Sequence, residues 1–410
     1  MEKILYFFKK IVYFFPKKTK KVFYFVRRHY YMFGSDVISI TGSCGKTSAT
    51  YFLSKIISEY AFCYVGIRKN TAKGIKKNIR KVRSRYRFYL QESGVAYPGD
   101  MKKIVSNLRP KIGVVTTIGR DHHTSFRTLE GTAAEKSILI ESLPISGTAV
   151  LNADDPYVLA MSQKTRARVL TYGMSDKADV RGGEVRSSWP DRLSLSVTFQ
   201  DETVRLDTGL FGDLLVTSLL AAVAGGIALG FSLEQCVASL RGVEAFPARL
   251  SIHQSSQGVW IIRDTVKSPF WSIEKVLLLF KDAVAPRKTI VIGSFSDTPG
   301  SDSNKYRRMA RMALGVADRV VFVGNKSSYI KKMQTPLLEN RLFVYESLRD
   351  ACIFLASTAV KNELVLLKSN INSHIERLIF GQSDGFSCWK DTCEKKINCE
   401  ECQELSHLSN

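Results

Sequence analysis

The feature that most limits the possible folds is a glycine-rich turn, Gly42–Thr47, with the sequence GSCGKT. An apolar run from Val37 to Ile40 precedes it and predicts a short buried strand, and the stretch from Ser48 to Tyr60 has the apolar spacing of a helix. Glycines between a strand and a helix let backbone N–H groups approach phosphate oxygens at the positive helix N-terminus. We therefore predict a phosphate-binding loop, in which Lys46 would reach the β/γ-phosphates and Thr47 would hold Mg²⁺.

Apolar runs alternate with helical stretches along most of the chain, and this alternation predicts parallel α/β structure. A first set of predicted strands comprises 37–40, 88–90, 112–116 and 148–152, and a second set comprises 259–263, 289–292, 319–323 and 364–367. We expect a basic N-terminal segment at residues 1–35, a central domain at 36–245, a C-terminal domain at 246–382 and a Cys-rich tail at 383–410.

The net charge of +22 in 410 residues indicates an anionic partner, which is nucleic acid, an acidic membrane surface or a polyanionic substrate. The excess is concentrated in two places. Residues 1–33 carry nine Lys and Arg against one Glu, and residues 68–87 carry ten with no acidic residue. No sequence signature of a nucleic-acid-binding fold occurs, so nucleic acid is the disfavoured partner.

Residues 1–33 predict an amphipathic helix or helix pair with basic residues on one face and aromatic and aliphatic residues on the other. This pattern is typical of a helix in a membrane interface, and a helix packed on the same protein or on a partner subunit is the alternative. No run of about 18 apolar residues occurs, so we expect no transmembrane helix. The segment also lacks the features of a signal peptide. We expect a cytoplasmic protein, peripheral at the inner face of the membrane.

Several further segments resemble the motifs of one enzyme family and follow one another in the same order as in that family. Residues 41–48 resemble the TGTxGKT loop of the Mur ligases, and the chain continues with segments similar to later motifs of that family: Leu90–Gly94, Pro98–Asp100, Thr117–His122, Ala133–Lys136, Asn152–Pro156, Pro247–Arg249, Asp264–Pro269 and Leu364–Ser369. The resemblance covers residues 36–380 and implies a P-loop central domain with a parallel sheet and a Rossmann-like α/β C-terminal domain. Family members that act on peptidoglycan precursors carry a UDP-sugar-binding domain before the loop. Because the loop here begins near residue 41, we expect that domain to be missing, as it is in folylpolyglutamate and poly-γ-glutamate synthases.

The resemblance implies an ATP-dependent carboxylate–amine ligase that forms an amide bond through an acyl phosphate. Carboxylate and ATP are both anions, so cations must offset their charge. The resemblance implies catalytic roles for Lys46, Lys136, Asp264 and Lys267, and nucleotide binding by Gly42, Ser43, Cys44, Gly45, Lys46, Thr47, Ser48 and Arg249. It implies Mg²⁺ ligation by Thr47, Glu92, His122 and, if carbamylated, Lys136.

Several of these residues have ordinary interpretations. Glu92 could be a surface carboxylate, His122 a hydrogen-bonded polar residue and Lys136 an exposed helix lysine.

The partners implied by the resemblance are ATP, an amine donor and an anionic carboxylate acceptor of the cell envelope or of a polymer. Residues 68–87 are the candidate surface for the acceptor, and a solvated basic face is the alternative.

The chain departs from the family where the adenine base is usually bound. In place of G-x-H-N-x-x-N-A it has Gly212–Leu219, so Leu214, Leu215 and Ser218 replace a His and two Asn residues. Leucine side chains cannot hydrogen-bond a base. The departure predicts either a different nucleotide grip or a catalytically silent scaffold or partner subunit, and we expect the active enzyme.

Four cysteines lie within 15 residues near the C-terminus: Cys388, Cys393, Cys399 and Cys402. Four thiolates can surround Zn²⁺, which predicts a structural zinc site, with redox-active or incidental thiols as the alternative. The other four cysteines are scattered and are typical of reduced thiols in a cytoplasmic protein.

Overall fold

The computed structural model describes residues 32, 34–120, 123–295, 300–380, 388–390, 393–395 and 397–406. His122 and nearly all of the basic segment 1–33 lie outside the described residues, so the predictions made for them stay predictions.

The first sheet has nine strands in the order β2-β3-β1-β4-β5-β6-β7-β8-β9, of which β1 to β7 are parallel to one another. Its central strands are near-continuous apolar runs because helices cover both faces of the sheet. The strands are β1 Asp36–Thr41, β2 Cys63–Gly66, β3 Phe88–Glu92, β4 Ile112–Val115, β5 Thr148–Asn152, β6 Arg168–Gly173, β7 Val180–Arg186, β8 Ser194–Phe199 and β9 Glu202–Asp207.

Strands β7, β8 and β9 form an antiparallel extension that the sequence analysis did not predict. Val180–Arg186 contains two adjacent glycines and an irregular register near Gly183, which weakens its strand signal. β8 and β9 leave many side chains half-buried or exposed, so their apolar content is low for a strand of an α/β protein.

The second sheet has six strands in the order β10-β11-β15-β12-β13-β14, and only the β10–β11 pair is antiparallel. Its strands are β10 Ser251–Gln254, β11 Trp260–Asp264, β12 Lys288–Ile292, β13 Arg319–Val323, β14 Leu342–Tyr345 and β15 Leu364–Lys368. Both sheets are α/β layers with mainly parallel strands, as predicted. Four further strands were not predicted. Three of them, β2, β10 and β14, are four residues long and lie at sheet edges. The fourth, β6, lies inside the first sheet but is buried mainly on alternate residues, so it is not a continuous apolar run.

The helices of the described residues cover the sheets and connect their strands. They are α1 Lys46–Tyr60, α2 Ala72–Ile79, α3 Asp100–Leu108, α4 His123–Phe126, α5 Leu129–Glu141, α6 Pro156–Leu159, α7 Val216–Ala228, α8 Leu233–Ala238, α9 Phe270–Lys281, α10 Asp302–Leu314, α11 Leu348–Ser357, α12 Arg377–Phe380 and α13 Gln403–Ser406. Within the described part of the chain, no helix is both long and apolar enough to span a membrane.

Aromatic side chains join the two sheet layers. The rings of Trp189 and Trp260 have centroids 5.5 Å apart, and the rings of Tyr51 and Phe246 have centroids 5.3 Å apart. Tyr51 belongs to α1, so the segment that enters the second sheet packs on the helix that follows the phosphate loop.

Candidate active site

The carboxyl ends of β1, β3, β4 and β5 lie at one edge of the first sheet, and the loops that leave them carry the predicted site residues. In open α/β sheets this edge is where ligands bind. The loop after β1 contains the glycine-rich turn, and the loops after β3 and β4 flank it on either side because β1 lies between these two strands.

Two glycines of the loop have backbone conformations or contacts that exclude a side chain. Gly45, at φ +80°, is the residue from which α1 begins. Gly42 has φ +147°, and a Cβ atom there would lie 1.9 Å from Thr116 Oγ1. Gly42 therefore packs closely against the residue that follows β4, a contact that a side chain at this position would prevent.

Lys46 folds back over the loop. Its ammonium donates to the carbonyl oxygen of Gly42 at 2.5 Å and to that of Ser43 at 3.1 Å. The charge is therefore held next to the loop backbone, at the N-terminal end of α1, where a phosphate would experience both the ammonium and the helix dipole.

The turn after β4 braces the loop. Ser43 N donates to Thr117 O at 2.7 Å, Cys44 N donates to Thr117 Oγ1 at 3.1 Å, and Gly119 N donates to Ser43 Oγ at 2.9 Å. Thr117 thus contacts the phosphate loop through both its carbonyl oxygen and its hydroxyl.

Residues of the Asn152–Pro156 motif hold that turn in place. Asn152 donates to Thr116 O at 2.9 Å, and Asp155 Oδ2 accepts from Ile118 N at 2.7 Å. The other oxygen of Asp155 caps α6. The motif is thus a brace behind the loop, and the sequence analysis assigned it no role.

Glu92 is at the end of β3, with 2% of its surface exposed. Its Oε2 accepts from Thr47 Oγ1 at 3.1 Å, and its Oε1 accepts from Asn70 Nδ2 at 2.8 Å. The interpretation of Glu92 as a surface carboxylate is therefore wrong. Ligand oxygens on adjacent positions of octahedral Mg²⁺ are about 2.9 Å apart, because Mg–O bonds are about 2.0–2.1 Å. The Thr47–Glu92 spacing fits Mg²⁺.

Lys136 is 1% exposed on α5, so its interpretation as an exposed helix lysine is also wrong. Its neighbour Glu135 accepts from the backbone N–H groups of Gly99 and Met101 and thereby holds the start of α3. A lysine this deeply buried is expected to be paired or modified.

The stretch that departs from the family's adenine motif lies beside the loop. Asp213–Leu215 forms a short 3₁₀ turn that leads into α7, and Leu215 is buried. Ser218 Oγ donates to Gly45 O at 3.3 Å. Ser218 therefore contacts the phosphate loop, while Leu214 packs half-buried against the core.

In the second sheet, Asp264 ends β11 and Lys368 ends the neighbouring β15. Their side chains form a buried ion pair, and Lys368 also contacts the carbonyl oxygen of Lys267 at 3.4 Å. Lys368 was missed because its partner is remote in sequence and only strand pairing brings the two together. Arg249 is half-buried, next to Ala248, which has φ +61° where the family motif has Gly.

Two titratable groups near these residues have perturbed pKa values. Burial raises the pKa of Tyr172 well above its ordinary value, so its hydroxyl stays protonated and donates to Val115 O at 2.9 Å behind the loop. Burial, with a contribution from Arg263, lowers the pKa of His253, so this imidazole is neutral at pH 7.

All four tail cysteines line one recess, together with His374. Among the described residues, the potential ligand atoms within 4.8 Å of one another belong to His374, Glu376 and Cys399. The sequence analysis missed His374 and Glu376 because they lie before the tail in the sequence.

The geometry places this chain in the class of α/β proteins that have a phosphate loop and, next to it, a Thr–Glu pair suited to Mg²⁺. Residues 40–226 match the family model described as the Mur ligase middle domain. The chain therefore carries a Mur ligase middle domain over residues 40–226.

Curated relatives include the UDP-N-acetylmuramoyl-tripeptide–D-alanyl-D-alanine ligase of Mycobacterium bovis, 27% identical over 303 residues, which are 72% of this chain and 59% of that protein. A UDP-N-acetylmuramoyl-L-alanyl-D-glutamate–2,6-diaminopimelate ligase of Bacillus velezensis is 25% identical over 360 residues, 81% of this chain and 72% of that protein. The chain thus spans 59% of the length of the first of these relatives.

Solved structures with the same fold include MurF of Acinetobacter baumannii, with a TM-score of 0.78 and 21% identity, covering 87% of this chain and 78% of that one. MurF of Thermotoga maritima in complex with ADP has a TM-score of 0.77 and 17% identity, covering 90% of this chain and 84% of that one. Both show that the two sheets of this chain have the Mur ligase fold.

Proposed function

We propose that this protein is an ATP-dependent ligase that joins a carboxylate to an amine of an amino acid or peptide, acting on an anionic cell-envelope or polymer precursor. The observation that carries the proposal is the Thr47–Glu92 pair, 3.1 Å apart beside the glycine loop and Lys46. A buried carboxylate next to the helix hydroxyl provides an anionic ligand for the Mg²⁺ that phosphoryl transfer from ATP requires. The similarity to relatives that are peptide ligases supports the same reaction class.

The loop residues hold and orient ATP in this proposal. Backbone N–H groups of the loop and the Lys46 ammonium contact the phosphates and offset their charge. Thr47 and Glu92 would hold Mg²⁺, which supplies Lewis acidity at the transferred phosphoryl group. Lys136, carbamylated, and His122 would support a second cation, and Ser48 follows the loop at the start of α1.

The second sheet contributes to the amine side of the reaction. Asp264, oriented by Lys368, would accept a hydrogen bond from the incoming amine. Arg249 would contact the nucleotide, and Lys267 would lie near the reacting groups. Closure of this part over the loop would exclude water, which otherwise hydrolyses an acyl phosphate.

The test is ADP release from the purified protein with ATP, Mg²⁺ and panels of carboxylates and amino acids. ADP release should depend on both substrates, and Lys46→Ala should abolish it, because this variant lacks the ammonium over the loop. Lys55→Ala, an exposed position on the same helix, is the matched control and should behave as wild type. ADP release that is the same in Lys46→Ala would refute the assignment.

We also propose that residues 68–87 bind the anionic acceptor. The side chains of Lys76, Lys77, Arg80 and Lys81 are exposed on and after α2, whose apolar side packs inward. Replacing these four residues by Gln should raise the KM for the acceptor and leave the KM for ATP unchanged. An equal rise in both KM values would contradict the assignment.

Residues 1–33 are proposed to bind an acidic membrane surface at the inner face of the cytoplasmic membrane through their basic face. Co-sedimentation with vesicles of anionic lipid should exceed that with neutral lipid and should fall as salt rises. Binding that is equal for both vesicle types would exclude this role.

A catalytically silent scaffold is the second candidate, because Leu214, Leu215 and Ser218 stand where the family hydrogen-bonds adenine. The ADP-release assay separates the two candidates, since a scaffold releases no ADP with any substrate pair. Nucleotide binding without turnover would favour a scaffold that retains the phosphate grip.

A further inference from the structure

The Cys-rich tail lies against the end of the second sheet and forms a recess with the turn that follows β15. The recess contains four thiols, one imidazole and two basic side chains, and its lining includes Cys388, Cys393, Cys399, Cys402, His374 and Arg377. All eight cysteines of the protein are free thiols. The concentration of soft ligands here is not explained by the proposed ligase reaction.

Two potential ligand atoms already have the spacing of a shared metal. Cys399 Sγ lies 3.4 Å from His374 Nδ1. Ligand atoms on one tetrahedral zinc, with Zn–N of about 2.0–2.1 Å and Zn–S of about 2.3 Å, are about 3.6 Å apart. Glu376 Oε1 accepts from Cys399 N at 3.1 Å and lies 3.7 Å from the same His374 Nδ1, so a buried carboxylate stands beside both potential ligand atoms.

The same residues are buried polar groups with incomplete hydrogen bonding. His374 is 2% exposed and Glu376 is 1% exposed. Within the described part of the chain, His374 Nε2 and Glu376 Oε2 have no hydrogen-bond partner. Such groups cost free energy in an apolar interior, and a cation at this place would offset the cost of the buried carboxylate.

Two of the other cysteines are positioned by independent contacts. Cys402 follows Cys399 at the Cys-x₂-Cys spacing that is typical of zinc ligands. Arg377 donates to the backbone carbonyl oxygens of both His374 and Cys388, each at 3.2 Å, and so ties the start of the tail to the turn that carries His374. Among the described residues, no hydrogen bond or ion pair ties Cys393 in this way.

We propose that this recess is a structural zinc site with His374, Cys388, Cys399 and Cys402 as ligands. Thiolates and imidazole together select zinc over Mg²⁺ or Ca²⁺, which prefer oxygen. Four protein ligands leave no open position, so the metal is structural. Lys395, whose ammonium lies 3.5 Å from Cys402 Sγ, and Arg377 offset the negative charge of three thiolates.

The site has a mechanical consequence, because the residues between the last two ligands reach both sheets. Glu400 forms an ion pair with the buried Arg263, which precedes Asp264 in β11. Glu401 forms an ion pair of 2.5 Å with Arg68, whose backbone N–H donates to Glu92. A metal that fixes the Cys399–Cys402 turn therefore holds a tie between the second sheet and the loop side of the first.

Metal content of the full-length chain tests the ligand set. Purified protein should contain about one zinc per chain, and His374→Ala and Cys399→Ser should each reduce it to about a tenth or less. Cys393→Ser, in the same tail, and Cys63→Ser, in β2, are matched controls and should retain the metal. Loss of metal in Cys393→Ser equal to that in Cys399→Ser would overturn the ligand assignment.

Titration of the wild-type apoprotein with Co²⁺ makes the test independent of variant folding. The expected result is thiolate-to-metal charge-transfer absorption that saturates at one Co²⁺ and is displaced by Zn²⁺. Absence of both zinc and this absorption in the wild-type protein would overturn the proposal, as would a disulfide between any two of the ligand thiols.

Hydrogen exchange with and without a chelator tests the tie. Removing the metal should increase exchange at residues 399–402 and at Arg68. This measurement does not depend on ADP release. Unchanged protection at Arg68 after metal removal would refute the tie and would leave the ligase proposal untouched.

Discussion

Asp155 holds the turn behind the phosphate loop, and replacing it tests whether that turn positions the loop. Its Oδ2 accepts from Ile118 N at 2.7 Å, and its Oδ1 caps α6 by accepting from Tyr157 N at 3.0 Å and Val158 N at 3.2 Å. Asp155→Asn can keep the cap, because Asn is a good N-cap residue. It loses the other contact, because an amide NH₂ then faces the N–H of Ile118. The substitution therefore separates the brace behind the phosphate loop from the helix cap.

The expected magnitude follows from these contacts. A hydrogen bond to a charged group contributes about 1.5–3 kcal/mol, and the partly buried Ile118 amide places the loss at the lower end, about 1.5–2 kcal/mol. Asp155→Ala should lose a further ~1 kcal/mol or so with the cap. The free energy that the brace contributes also limits its effect on binding. Its loss can lower the nucleotide affinity by no more than a factor of about 5–30.

Urea denaturation and fluorescence titration with an ADP analogue measure the two effects. We expect Asn and Ala to weaken nucleotide binding equally, while Ala destabilises the fold more than Asn. Asp154→Ala is the matched control, because Asp154 accepts from Met174 N and Ser175 N, away from the loop. If Asp155→Asn bound nucleotide as tightly as wild type, the argument that the brace positions the loop would be wrong.

Gly42→Ala should destabilise the protein by about 1–3 kcal/mol and weaken nucleotide binding, since its Cβ would overlap Thr116 Oγ1. Gly230→Ala, with positive φ but no atom within 4 Å of its Cβ, is the control for backbone strain in the same denaturation and binding measurements. Glu363→Gln should lower the free energy of unfolding by about 3–5 kcal/mol, because Glu363 is buried between two arginines that would lose their carboxylate. The exposed Glu339→Gln should change the urea midpoint little, and an equal loss in both variants would contradict the burial argument.

Local patterns predicted those parts of the fold in which apolar residues are consecutive. The strands Asp36–Thr41, Thr148–Asn152 and Arg319–Val323 lie at the predicted places, within a residue, because strands buried on both faces are continuous apolar runs. The antiparallel strands β7 to β9 were missed, because one-sided burial and two adjacent glycines leave a weak pattern. Whether the chain divides near residue 246 stays a prediction.

The glycine loop shows what the sequence alone determined. Gly42, Gly45, Lys46 and Thr47 define a phosphate-binding conformation, because positive φ and close backbone approach are local properties of those residues in that order. The ordered motifs behind the loop predicted a resemblance to the Mur ligases, and residues 40–226 match the model of the Mur ligase middle domain.

Only the tertiary structure decided which remote residues act together. The burial of Glu92 against Thr47, the ion pair of Asp264 with Lys368 and the meeting of His374 with Cys399 depend on strand order and chain return. Such pairings join residues separated by 25 to 104 positions, and no local pattern encodes which of them meet. The physical reason is that sheet register and helix packing are set by the burial of the whole core, whereas backbone conformation in a glycine loop is set within a few residues.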